Sequence, residues 1–184
     1  MNATIIYVPN FIINSDEALA SLRDELNWER RDDAPRCEYY CNDIEVPYAY
    51  GRNTGRRTYE PRPYHPTIIR IKNQVEEFCR VKLEACFLNK YLNQSDHLGW
   101  HADDSEEMDD SRPIVSVSLG VERELWFRPN TDTKAIEKKK LEHGSICVML
   151  PGMQDTWQHR IPKAGFMCGV RVSLTFRGYI NPNI

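Results

Sequence analysis

The chain has 184 residues and a mass of 21.5 kDa, with 41% hydrophobic residues, 28% charged residues and a net charge of -3. That length suits one domain able to bury roughly 70% of its extended surface without staples, and the composition excludes wholesale disorder. No apolar run approaches the roughly 18 residues that cross a bilayer, and the N-terminus lacks a basic region and a cleavage site. A soluble, intracellular protein, cytoplasmic or nuclear and without a membrane partner, is expected, with monomer as the default state.

Ser15-Asp16-Glu17 reads as an N-cap followed by first-turn acids, and Leu19, Leu22 and Leu26 recur at helical spacing, so an amphipathic helix is predicted over 15–28. Residues 29–66 are rich in Pro and Arg, with Tyr39, Tyr40, Tyr48, Tyr50, Tyr59 and Tyr64 interleaved, which reads as short strands and loops. Ile68, Ile71, Val75 and Phe78 then share one side of a second helix, from about 66 to 81. From there the signal turns to strands, at 85–92, 113–119, 122–128, 145–150, 155–160 and 170–177, several of them alternating apolar and polar residues. Helices followed by many short strands predict an α+β fold with a β-sandwich or jelly-roll core. One domain over 1–184 is expected, with 1–84 as a helical and aromatic extension and 85–178 as the core. The cysteines, Cys37, Cys41, Cys79, Cys86, Cys147 and Cys168, fit neither a zinc framework nor a disulfide scaffold and are expected reduced, with Cys79, Cys86 and Cys147 in the core.

His101-Ala102-Asp103 sets an imidazole and a carboxylate two apart, and on a strand such residues project from one face and could reach one metal ion. Alone the pattern is weak, because His-x-Asp arises readily by chance. His159, in Trp157-Gln158-His159-Arg160, reads on its own more readily as a hydrogen-bonded core histidine than as a ligand. Arg171, Ser173, Thr175 and Arg177 share one face of the last strand, with no acid among them. Arg171 therefore either pairs with a distant carboxylate or receives an anionic ligand, and the second reading is preferred. Together, His-x-Asp and a later His make a facial triad with open iron positions. An arginine twelve residues beyond the second histidine adds a cation for a small dicarboxylate. That is the layout of a 2-oxoglutarate-dependent oxygenase.

Further segments carry a resemblance. Asn89-Lys90-Tyr91, His97-Leu98-Gly99-Trp100-His101-Ala102-Asp103-Asp104, Pro113 to Gly120, Leu141-Glu142-His143-Gly144-Ser145, His159-Arg160-Ile161-Pro162 and Arg171-x5-Arg177 resemble the AlkB family of Fe(II)/2-oxoglutarate-dependent nucleic-acid dealkylases. The match covers about residues 85–178; the N-terminal half matches more loosely, through Pro35-Arg36, Tyr48-Ala49-Tyr50-Gly51 and Pro61-Arg62-Pro63-Tyr64. The resemblance implies a double-stranded β-helix (jelly-roll) with a nucleotide-recognition lid. It implies His101, Asp103 and His159 as iron ligands and Arg171 as partner of the distal 2-oxoglutarate carboxylate. Asn89, Tyr91, Ser173 and Arg177 would line the co-substrate pocket, and Tyr48 and Tyr50 would hold the extruded base.

The implied reaction is oxidative demethylation of bases such as N1-methyladenine and N3-methylcytosine in DNA or RNA. It uses O2, converts 2-oxoglutarate to succinate and CO2, releases formaldehyde and serves alkylation repair. One departure concerns the substrate: enzymes of this kind commonly carry an acid four positions after the first ligand, and here that position is Ser105, between Asp104 and Glu106. Either a neighbouring acid takes the role or the base preference differs.

Phosphates need local positive charge. Residues 47–72 hold Arg52, Arg56, Arg57, Arg62, Arg70 and Lys72 against Glu60, and Lys134 to Lys140 holds four lysines against Glu137. Arg52 is expected at the substrate. Rival readings are an iron oxygenase acting on a methylated protein or small molecule, a non-catalytic nucleic-acid-binding module, and a helical zinc site built on His97 and His101.

Overall fold

The structure is a computed structural model that describes residues 3–31, 34–50 and 57–180. In chain order its first elements are β1 (Ile5–Val8), α1 (Ser15–Glu25), β2 (Cys37–Asn42), β3 (Tyr48–Tyr50), β4 (Arg57–Tyr59) and α2 (Pro66–Cys79). There follow β5 (Ala85–Tyr91), β6 (Leu98–His101), β7 (Ile114–Gly120), β8 (Arg123–Pro129), β9 (Glu137–Leu141) and β10 (Ser145–Met149). The chain closes with α3 (Met153–Thr156), β11 (Trp157–Ile161) and β12 (Arg171–Arg177). An antiparallel six-stranded sheet runs β1-β10-β7-β12-β5-β2, a four-stranded one runs β6-β11-β8-β9, and β3 pairs with β4 alone. This is the two-sheet arrangement of a jelly-roll. Among the described residues no helix is long and apolar enough to cross a membrane.

Strand periodicity gives the large sheet two unlike faces. Val172, Leu174 and Phe176 of β12 pack in one cluster with Leu88, Val117 and, from the helices, Leu22, Ile68, Ile71 and Val75, all wholly buried. Each such side chain contributes about 1.5–3 kcal/mol relative to exposure. The opposite face carries Arg171, Ser173, Thr175 and Arg177 into the space between the sheets. There Ser173 lies opposite Asn89 and Ser118, and Thr175 opposite Phe87 and Ser116. An apolar cluster that includes Leu125, Phe127, Met149 and Trp157 fills one end of that space, and an aromatic cluster of Tyr40, Tyr48, Tyr59 and Phe87 fills the other. The polar face lies between them. Gly120 (φ 94°) lies opposite Arg171, where β12 begins, and a Cβ there would collide with the Val170 carbonyl.

The elements differ from expectation in definite ways. The first helix stops at Glu25, where Leu26 turns extended, and its cap position is Asn14 rather than Ser15. The second stops at Cys79, because Arg80 takes a left-handed conformation (φ 56°). Phe78 is 44% exposed, resting edge-on against Phe11, and so lies off the buried stripe. Residues 155–156, expected in a strand, belong to α3. The division near residue 84 does not separate the sheets, since β1 and β2 form the two edges of the larger one. Strand β9 was not expected, because its run Glu-Lys-Lys-Lys-Leu has a single apolar residue. It is held by Lys138 over the Trp126 ring (4.2 Å), Lys139 over Tyr7 (3.7 Å) and an ion pair from Lys140 to Glu122. All six cysteines are free thiols, and Cys86 and Cys147 are wholly buried.

Candidate active site

Strand pairing sets His159 of β11 directly opposite His101 of β6, with ring centroids 4.2 Å apart. Asp103 lies beyond the end of β6 rather than on a strand. Its amide donates to Gln154 Oε1 (3.0 Å) and its Oδ1 accepts from Arg177 Nη2 (2.6 Å). One ligand atom from each of His101, Asp103 and His159 falls within 4.8 Å of the others. Asp103 Oδ2 is buried without a hydrogen-bond partner, 3.6 Å from His159 Nε2. The ring Nδ1 of His101 is 2.8 Å from the Gly99 carbonyl, which fixes that nitrogen as the donor and turns Nε2 into an acceptor.

The electrostatics hold all three groups in metal-binding form. Burial and the neighbouring His101 push the His159 imidazole down to about 3, and burial also lowers His101. Burial alone would raise Asp103, but Arg177 and the two imidazoles hold it at about 2. Neutral imidazoles and an ionised carboxylate are what a divalent cation requires.

Arg171 is 1% exposed and, among the described residues, faces no carboxylate. Its Nη2 donates to Ser118 Oγ (2.8 Å), its guanidinium lies 5.2 Å from the Tyr91 ring centre, and Nε and Nη1 have no hydrogen-bond partner. A buried guanidinium left this way is costly unless an anion completes it. A cleft of about 400 Å³ joins it to the cluster, lined by Asn89, Tyr91, Ser173, Arg177, His101, Asp103 and His159 among others. The residues expected at metal and co-substrate are thus brought to one space.

A second cavity of about 280 Å³ meets the first at His101, Asp103, Asn89 and Arg177. Its walls are Tyr48, stacked on Tyr59 at 6.2 Å, and Phe87, edge-on to Tyr59 at 4.8 Å. Ser105 Oγ donates to the Ala49 carbonyl (3.3 Å), while Asp104 and Glu106 are exposed. Arg52 and the side chain of Tyr50 lie outside the described residues. Phe87, Glu38 and Gln154 were missed in the sequence, whereas Arg36 and Tyr59 stood out there only as parts of wider segments. Arg36, Tyr59 and Phe87 line the cavity, Glu38 lies behind Arg36 in an ion pair (2.8 Å), and Gln154 supports Asp103. The alternation Glu38, Tyr40, Asn42 was a signal that β2 turns polar groups to the site.

Of the basic stretch over 47–72, Arg52 and Arg56 lie outside the described residues, and three of its other cations are engaged within the fold. Lys72 is buried against Asp43 and Glu76, Arg70 donates to the Ile13 carbonyl (2.6 Å), and Arg62 pairs with Glu29 (3.2 Å). Cations gather instead on the outer face of the four-stranded sheet. Arg128 and Arg160 lie 4.3 and 4.7 Å from the Trp100 ring centre, and Arg160 also covers Trp126 at 4.4 Å. Neither arginine has an acidic partner among the described residues.

The comparisons with known proteins agree with this geometry. The pattern of the 2OG-Fe(II) oxygenase superfamily matches residues 13–177. The alpha-ketoglutarate-dependent dioxygenase alkB homolog 3 of Bos taurus is 33% identical over 165 residues, 85% of this chain and 54% of its own. The DNA oxidative demethylase ALKBH2 of Mus musculus is 32% identical over 127 residues, 65% of this chain and 53% of its own. The solved structure of OsALKBH1 superposes with a TM-score of 0.67 at 18% identity, over 97% of this chain and 98% of that one, a likeness of fold. The chain belongs to the 2OG-Fe(II) oxygenase superfamily, and within it to the AlkB family. It spans about half the length of the curated relatives it matches. Fe(II), 2-oxoglutarate and O2 are the cofactors of that family, and the orphaned Asp103 Oδ2 and the unpartnered nitrogens of Arg171 fit the first two.

Proposed function

We propose that this protein removes alkyl groups oxidatively from N-alkylated bases, such as N1-methyladenine and N3-methylcytosine, in DNA or RNA, as a monomeric enzyme of alkylation repair. His101, Asp103 and His159 hold the iron, and Arg171 holds the distal carboxylate of 2-oxoglutarate. Asn89, Tyr91, Ser173 and Arg177 line the same cleft. The bound iron, with O2 and 2-oxoglutarate, supplies the oxidation of the N-methyl group, which leaves as formaldehyde while 2-oxoglutarate becomes succinate and CO2.

The observation that carries this reading is the buried, half-satisfied guanidinium of Arg171 opening on the same cleft as the His-Asp-His cluster. Arg177 keeps Asp103 ionised and aimed. The cavity of Tyr48, Tyr59 and Phe87 receives the flipped base, and electron-rich rings favour the cationic methylated forms. Strands β3 and β4, with Tyr50 and Arg52, act as the nucleotide-recognition lid, and Asp104, Ser105 and Glu106 border the base. Phosphates track over the outer arginines Arg128 and Arg160, which lie behind Trp100 on the edge strand β6.

Anaerobic reconstitution with ferrous iron and 2-oxoglutarate should give a visible charge-transfer band. Admitting oxygen with methylated oligonucleotides should then yield formaldehyde. Formaldehyde from a methylated peptide and none from methylated DNA or RNA would overturn the substrate assignment and leave the iron site standing.

A further inference from the structure

We propose that Tyr59, Glu38, Arg36 and Asn89 form a buried relay that couples occupancy of the base cavity to binding of 2-oxoglutarate. The inference rests on the proposed function for both ends, the base at Tyr59 and 2-oxoglutarate at Asn89, and on the geometry for the chain of contacts between them. Tyr59 donates its hydroxyl to Glu38 Oε2 (3.1 Å), Glu38 Oε1 meets Arg36 Nη2 at 2.8 Å, and Arg36 Nε donates to Asn89 Oδ1 (2.6 Å). The four residues are between 2% and 6% exposed. Strand register makes the chain of contacts continuous, since Glu38 of β2 lies opposite Asn89 of β5, and Asn89 opposite Ser173 of β12.

The two ends of the relay belong to different cavities. Tyr59 walls the aromatic one, with Phe87 against its edge and the Arg31 guanidinium 4.5 Å from its ring centre. Asn89 borders both that cavity and the cleft shared by Arg171 and the His-Asp-His cluster.

The chemistry of the amide makes the connection directional. A carboxylate only accepts hydrogen bonds, so 2-oxoglutarate needs the Nδ2 donors of Asn89 and is repelled by its Oδ1. Arg36 occupies Oδ1 and so fixes which end of the amide is offered to the co-substrate. Glu38 holds Arg36 in turn, and a desolvated ion pair of this kind does not part cheaply, so the two side chains move as a unit. A base seated against the Tyr59 ring bears on the hydroxyl that steadies Glu38. Coupling between two ligands is reciprocal: the oligonucleotide tightens 2-oxoglutarate by the factor by which 2-oxoglutarate tightens the oligonucleotide. Arg36, Glu38 and Tyr59 are positioning residues on this account, and the device limits consumption of 2-oxoglutarate when no nucleic acid is bound.

The test uses zinc-loaded protein, in which no turnover occurs, and calorimetric titration of 2-oxoglutarate with and without a saturating single-stranded oligonucleotide containing N3-methylcytosine. In the wild type the oligonucleotide should tighten 2-oxoglutarate by about fivefold or more. Tyr59→Phe, which deletes only the hydroxyl, should bring that factor close to one while the oligonucleotide still binds. Without oligonucleotide, Arg36→Lys and Asn89→Ala should each weaken 2-oxoglutarate by about tenfold, and the double variant by no more than either alone. Melting temperatures check that each variant is folded; Tyr59→Phe, which loses a buried hydrogen bond to Glu38, should melt lower than the wild type in one cooperative transition. A wild-type factor of one with oligonucleotide bound, full coupling in Tyr59→Phe, or additive losses for Arg36 and Asn89 would each overturn the relay. An oligonucleotide that fails to bind even the wild type overturns the demethylase reading instead, and the oligonucleotide-free titrations still decide the Arg36–Asn89 link.

Discussion

On β6, Trp100 and His101 are neighbours in sequence and face opposite ways, and on β11 the same holds for Arg160 and His159. The inner face of this sheet presents imidazoles to a buried carboxylate and guanidinium. The outer face, one residue out of step, presents cations stacked on indoles. Inside, charges have fixed partners in a low-dielectric space, where salt scarcely reaches them; outside, they are half-exposed and screened. A single alternating strand thus serves a site that must be geometrically rigid and a surface that need only be positive.

Substitutions that face the space between the two sheets should have the larger effects. His159→Ala is expected to abolish tight metal binding and reduce formaldehyde release to background; a titration with ferrous iron or manganese checks this, and undiminished affinity would reject the His-Asp-His assignment. Arg171→Met should raise the KM for 2-oxoglutarate on the order of a hundredfold with metal affinity unchanged, because it removes charge-assisted hydrogen bonds. On the outer face, replacing Arg128 and Arg160 together by alanine should weaken oligonucleotide binding roughly tenfold at low salt. It should also lower the slope of log affinity against log salt by about one for each phosphate no longer neutralised. Turnover at saturating oligonucleotide should be little changed, so a pair that instead destroys turnover at saturation would erase the distinction between the faces.

The mildest expected effect is on the pH dependence of the metal-free protein. An unfolded chain takes up a proton on His159 near 6.5, whereas the folded chain refuses it until about 3. Stability should therefore fall as pH drops below 6.5. Asp103, held at about 2 against an ordinary 3.8, adds its own loss only below 3.8. Thermal melts between pH 7 and 5 test the histidine contribution, and a melting temperature that rises on acidification would contradict it.

What could be seen in the sequence follows from how local each signal is. The alternation in β7 and β12 reported both strand and facing, so Arg171, Ser173 and Arg177 were correctly assigned to one face. His101 and His159 were visible as residue types, but their meeting depends on the register of β6 against β11. The relay of Arg36, Glu38 and Tyr59 was hidden because, apart from the Arg36–Glu38 pair, its links run to other elements, Glu38 to Tyr59 and Arg36 to Asn89. Lys72 misled in part for the same reason: its i,i+4 partner Glu76 could be read from helical spacing, but nothing nearby in sequence announces that Asp43 also meets it. β9 escaped notice because its lysines lie over rings contributed by other strands.

Asp103 is tied to α3 through Gln154 and to the last strand through Arg177, while its imidazole neighbours come from two further strands. The ion therefore finds its full ligand set only after β6 has paired with β11 and Asp103 has met Arg177. Metal uptake should accordingly follow these non-local contacts rather than precede them. Ferrous ion then acts on the equilibrium as a ligand of the completed molecule alone, adding stability by mass action.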